Sequence, residues 1–92
     1  MANVIITLKV MPNSPEVSID ELEKKVKTKI QSFSGETQTK TEITPIAFGL
    51  KALNITFVMD ESKGATDYLE EQIAKLEGVN SVSVTDVRRA IG

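Results

Sequence analysis

The chain has 92 residues, 40% of them hydrophobic, with 13 acidic against 11 basic side chains and neither cysteine nor histidine. Such a length and composition predict one domain, residues 1–92, with one modest core; they exclude disulfides, thiolate nucleophiles, cysteine-based zinc sites and histidine chemistry. The net charge of −2, with both signs interspersed, gives no electrostatic footprint for nucleic acid or an anionic membrane.

The opening "MANVIITLKV" lacks the basic region and long apolar run of a secretory signal. No apolar run approaches the eighteen or so residues of a membrane span. From Asn3 to Met11 the pattern alternates: Val4, Ile6, Leu8 and Val10 fall on one face, and Asn3, Ile5, Thr7 and Lys9 on the other. That period predicts a half-buried strand. Pro12 and Pro15 are expected to close it in a loop, since neither donates to a ladder.

In "SIDELEKKVKTKIQSF", Ile19, Leu22, Val26, Ile30 and Phe33 line one helical face. Ser18 and Glu21 fit a capping box, the early acids and later lysines suit the helix dipole, and Gly35 is the stop signal. Thr37 to Ala47 reads as a polar strand rich in threonine. Pro45 sends it to the sheet margin. Gly49 marks a turn, and Leu50 to Met59 alternates again through Leu53, Ile55, Phe57 and Met59. A second helix is predicted in "ATDYLEEQIAKLEG", with Ala65, Leu69, Ile73 and Leu76 on one face and Gly78 as its cap. Val82 and Val84 mark the last strand. The remaining "TDVRRAIG" reads as a tail beyond it.

Strand–helix–strand thus occurs twice. The order βαββαβ predicts an α+β, ferredoxin-like sandwich. Right-handed crossovers place two helices on one face of a four-stranded antiparallel sheet. The open face would carry Ile5, Thr7, Lys9, Asn54, Thr56, Val58, Ser81, Ser83 and Thr85.

Several functions of such a sandwich fail on the residues. An RNA-recognition sheet stacks bases on aromatics of the open face, and Phe57 has the core phase. The loop after the first strand, "MPNSPEVS", has no cation to cradle an acyl phosphate. Asp60–Glu61 reads as turn chemistry and Glu70–Glu71 as a solvated helix face; two adjacent carboxylates make a poor metal site. No cofactor is implied. A small-molecule-binding regulatory domain of βαββαβ type stays as the alternative function.

Two features remain. Phe48 precedes the turn glycine in a chain with three phenylalanines and one tyrosine. It either folds back over the end of the core, packing on Pro45 or Ile46, or projects as a partner anchor, a role in which aromatics dominate. Arg88 and Arg89 are the only arginines. They are either a solvated end or bidentate ligands for acidic groups or phosphates.

"IAFGLKALNITFVMDE", "LEGVNSVSV" and "TDVRR", together with the first strand "VIITLKVMPNSPEV", resemble the archaeal translation elongation factor 1-beta family in three separated segments in the right order. "PIAFGLKAL" is also similar to the exchange domain of the larger eukaryotic factor. The resemblance implies a cytoplasmic guanine-nucleotide exchange factor with no bond-making chemistry. Its partner would be elongation factor 1-alpha, which carries aminoacyl-tRNA; no direct nucleic-acid or membrane contact is implied. In the eukaryotic relatives the phenylalanine of the "FG" turn touches the GTPase near its nucleotide pocket, which carries onto Phe48 and Gly49. The closing "TDVRR" adds Asp86, Arg88 and Arg89 as expected partner contacts. The eukaryotic domain ends in a lysine that enters the magnesium site, whereas this chain has Gly92 there.

Overall fold

In the computed structural model, residues 3–35, 38–61 and 66–90 are described. The elements are β1 (Asn3–Pro12), α1 (Ile19–Ser34), β2 (Thr39–Pro45), a short turn of 3-10 type at Ala47–Gly49, β3 (Lys51–Asp60), α2 (Asp67–Ala74) and β4 (Val79–Ala90). The sheet order is β2-β3-β1-β4, with every neighbouring pair antiparallel. Both helices pack together and onto this sheet. The ferredoxin-like arrangement expected from the pattern is the one observed.

Alternation is what builds the core. In the central pair Val4 faces Met59, Ile6 faces Phe57, Leu8 faces Ile55 and Val10 faces Leu53, so each apolar residue meets another on the same side of the sheet. Leu22, Val26 and Ile30 of α1 and Leu69 and Ile73 of α2 cover that side. Each such fully buried side chain stabilises by about 1.5–3 kcal/mol. Ile19, Phe33, Leu76, Val82 and Val84 pack partly buried around the cluster. Ala65, expected on the second helical face, and Thr37, expected to open the second strand, lie outside the described residues.

Ser18 caps α1 by accepting from the Glu21 N–H at 3.4 Å, and Gly35 ends it at φ 82, where an L side chain would be strained. Lys27 Nζ lies 2.9 Å from Glu23 Oε2. That ammonium, chiefly, holds the Glu23 carboxyl below its ordinary range. The Thr41 hydroxyl also favours the charged form, although its buried Oγ1 falls short of a formed hydrogen bond.

Four expectations are corrected. The second helix stops at Ala74 with Lys75 as its cap, so Leu76 and Gly78 lie past it, in the turn that leads into β4. Pro12 is not in the loop but is the last residue of β1, opposite Val79. There the ladder is already ending, so its missing N–H costs little. The second strand stops at Pro45, and Ile46 and Ala47 belong to the turn. Most consequentially, the chain after Val84 is no tail: Asp86, Val87, Arg88 and Arg89 pair with Thr7, Ile6, Ile5 and Val4. The register shifts between Thr7 and Leu8 and leaves Thr85 as an extra, bulged residue. A one-residue insertion reverses which face each later side chain takes. Thr85 therefore leaves the regular open-face row, its hydroxyl donating to the Thr7 carbonyl at 3.4 Å. Asp86 and Arg88 join that face in its place.

Candidate functional site

The β2–β3 hairpin closes through two hydrogen bonds: the Ile46 N–H donates to the Leu50 carbonyl at 2.8 Å and the Leu50 N–H to the Ala47 carbonyl at 3.2 Å. Between them Phe48 has φ 61 and ψ 30, and Gly49 has φ 77. Two successive positive φ values are the signature of a primed turn, whose twist matches that of the flanking strands. Glycine takes such a conformation freely. Phenylalanine pays about 1–2 kcal/mol for it, because Cβ crowds the following carbonyl. Phe48 is the one described non-glycine residue with positive φ.

It is also 93% exposed. The inward reading of Phe48 is thereby removed: the ring does not cover the core, Pro45 or Ile46. A large aromatic held by a strained backbone and facing water is stabilised by nothing within the described chain. Strain retained at such a place points to function. Gly49 lies over Pro15: a Cβ built on it would meet Pro15 Cβ at 3.8 Å, so the β1–α1 loop supports the turn from below.

The arginines are elsewhere. Arg88 Nε pairs with Asp86 Oδ2 at 2.9 Å on the open face, and Arg89 Nη2 with Glu61 Oε1 at 2.6 Å. Arg89 is aligned with Val4 and Met59, at the opposite end of the sheet from the hairpin. The eight steps along the strand from Lys51 to Met59 amount to about 25 Å at roughly 3.3 Å per step, in a molecule 42 Å long. So the structure brings Phe48 together with Gly49 at one end and Asp86 together with Arg88 at the other, and sends Arg89 to the opposite face of the sheet, where Glu61 holds it. Gly92 lies outside the described residues. From sequence Glu61, the acid that holds Arg89, reads only as turn chemistry; nothing local marks it, since its partner is 28 residues away.

The remaining surface is polar without being reactive. Across the open face Thr7 and Thr56 share a hydrogen bond at 3.0 Å, and Asn54 Nδ2 donates to Thr44 Oγ1 at 3.0 Å. Among the described residues, no group of three acids could hold a metal ion, and no helix is long and apolar enough to cross a membrane.

The exposed features of the two-layer sandwich are thus a strained, solvent-facing aromatic at one end and ion-paired arginines at the other. The family follows from comparison. Residues 5–90 match the model of the EF-1 guanine nucleotide exchange domain, and the chain belongs to that family. It is 43% identical over 89 residues to elongation factor 1-beta of Methanothermobacter thermautotrophicus, covering 97% of this chain and 98% of that one. To the Methanosphaera stadtmanae protein of the same name it is 46% identical with the same coverage. To that of Hyperthermus butylicus it is 41% identical, over 97% and 96%. Among solved structures, the de novo designed protein Foldit4 matches with a TM-score of 0.62 over 98% of each chain at 17% identity, which shows the fold alone. The role of the present chain is that of a guanine-nucleotide exchange factor in translation elongation.

Proposed function

We propose that residues 1–92 work as a single exchange domain on elongation factor 1-alpha in the cytoplasm, where elongation takes place. The domain engages the GDP-bound GTPase, loosens GDP and its magnesium, and leaves when GTP enters, so that the GTPase can again take aminoacyl-tRNA. No bond is made or broken, and no enzyme chemistry is required. The factor has only to bind the nucleotide-free state more tightly than the loaded one; by linkage, nucleotide affinity falls by the same factor.

The observation that carries the residue-level reading is Phe48, 93% exposed at φ 61. As an anchor it enters the partner already ordered, which lowers the entropic cost of binding. Gly49 sets the turn that aims it. Arg88 and Arg89 form a second contact at the far end, so the partner must present an extended surface. There its acidic groups would exchange places with Asp86 and Glu61. Exposed pairs of this kind contribute only about 0–1 kcal/mol, so the swap is accessible. Asp86 holds Arg88 by Nε, which leaves the terminal nitrogens to the partner.

The test is release of labelled GDP from elongation factor 1-alpha at physiological magnesium. Sub-stoichiometric amounts of this protein should accelerate it. An unchanged rate in the presence of excess protein would reject the assignment to this partner.

A further inference from the structure

Strain such as that at Phe48 persists only where the surroundings over-determine the conformation. The hairpin's own hydrogen bonds, Ile46 to Leu50 and Leu50 to Ala47, close the turn at its ends. Between them Phe48 is 93% exposed and Gly49 follows at φ 77. One group from outside the hairpin stands against this middle. A Cβ built on Gly49 would meet Pro15 Cβ at 3.8 Å, and among the described residues it would meet no other atom within 4 Å beyond its chain neighbours.

Pro15 is itself held in place. It is the second residue of a tight turn, Ser14–Val17, in which the Val17 N–H donates to the Ser14 carbonyl at 3.2 Å. The proline ring presets φ for that position. The Glu16 N–H donates to Ser14 Oγ at 3.1 Å. Before the turn, the Asn13 N–H donates to the Gly78 carbonyl at 2.9 Å. After it, Val17 packs on the core cluster and Ser18 caps α1. The β1–α1 loop is thus fastened to the α2–β4 turn and to the first helix, and Pro15 meets the hairpin from that fixed base. Pro15 is exposed and stands outside the core cluster, so its ring contributes little to the packing of the fold.

We infer that Pro15 is a positioning residue for exchange: through its contact with Gly49 it keeps the Phe48 turn in the conformation that aims the ring at the GTPase. The inference rests on the reading of Phe48 as the anchor. A ring so exposed is not aimed by contacts of its own; its direction is set by the backbone beneath it. The strained turn has a partner in Pro15 and loses it on relaxing. Without that partner a smaller fraction of the turns is ready to bind, and apparent affinity falls by the same fraction. Saturation with the factor restores the full rate, because binding selects the aimed conformation.

The test titrates labelled-GDP release from elongation factor 1-alpha with each variant, below its melting midpoint. Pro15→Gly removes the contacting Cβ, and Pro15→Ala keeps it. Pro15→Gly should raise the half-maximal concentration about fivefold, the population equivalent of the smaller strain, with the saturating rate unchanged. Pro15→Ala should recover most of that loss. In a Phe48→Gly background, already shifted, Pro15→Gly should add nothing further, since the two residues act as one unit. Should Pro15→Gly fail to fold, Ser14→Ala, which frees the Glu16 N–H from Oγ, takes its place, with the same direction and the same dependence on Phe48 expected. An unchanged half-maximal concentration with Phe48→Gly impaired overturns the inference and leaves the anchor standing. An equal shift with and without Phe48 would mean that Pro15 touches the partner directly, and it overturns the inference too. Parental exchange by Phe48→Gly removes the anchor and the inference together.

Discussion

Replacing Phe48 by glycine tests its role more sharply than replacing it by alanine. Alanine keeps Cβ and with it the strain at φ 61. Glycine removes the strain, a gain of about 1–2 kcal/mol. Against that stands the larger conformational freedom of glycine in the unfolded chain, about 0.4–1 kcal/mol. The ring itself is 93% exposed, so its removal forfeits almost no packing. The variant should therefore be as stable as the parent or up to about 1.6 kcal/mol more stable. In a domain of this size that is a rise in Tm of at most about 6–13 °C. A phenylalanine that packed on the core would instead lose about 3–5 kcal/mol and more than about 10 °C. Partner affinity should meanwhile fall by about 2 kcal/mol, roughly thirtyfold. The assay is a thermal melt and a GDP-release rate on the same preparation. A large drop in Tm would refute the exposure argument. A variant that melts as expected yet exchanges at the parental rate would refute the link between strain and function.

Gly49→Ala and Gly78→Ala form a graded pair. Gly49 has room for a Cβ and loses only the conformational term, about 1–2 kcal/mol; at Gly78, φ is 94 and a Cβ would stand 3.2 Å from Val17 Cγ1, so its melting point should fall further. Arg88→Ala with Arg89→Ala should change stability by no more than about 1 kcal/mol per pair, while exchange weakens and becomes less salt-dependent; parental exchange at low salt would assign both to solvent. Glu23 has a folded pKa below its unfolded one, so its contribution is present at neutral pH and disappears as pH falls through the lowered value. Glu23→Gln should then flatten the acid limb of a pH-dependent melt, and an unchanged limb would show that the Lys27 pair carries no linkage.

Much of the fold was legible because it is encoded by period. Two-residue alternation and the three–four spacing of Ile19 to Phe33 are local patterns that hold whatever the tertiary context, and they placed the core of all four strands and both helices. Ser18 and Gly35 were legible for the same reason: a cap is set within one turn. Strand ends were not. Whether Pro12 ends a strand or begins a loop depends on Val79 opposite, which no window around Pro12 contains.

The site was legible in identity but not in geometry, and the bulge at Thr85 shows why. Threonine there carries no sign of an extra residue; the bulge exists only relative to Thr7 and Leu8 across the ladder. Yet it decides the electrostatics of the far end. With unbroken alternation after Val84, Asp86 and Arg88 would fall on the helix side and Arg89 on the open face. With the bulge, Asp86 and Arg88 share the open face and pair there, while Arg89 runs beside Val4 and reaches Glu61. The paired acids lower the attraction that two free arginines would exert at long range, so in the proposed contact the arginines would contribute only where the partner competes locally with Asp86 and Glu61. Phe48 is the opposite case. It has no intramolecular partner to give up, its backbone is already fixed, and it stands about 25 Å along the strands from the arginines. Recognition that begins at a preformed aromatic end and is completed by ion-pair exchange at the other needs no reactive group anywhere between, which is what the hydroxyl-covered open face provides.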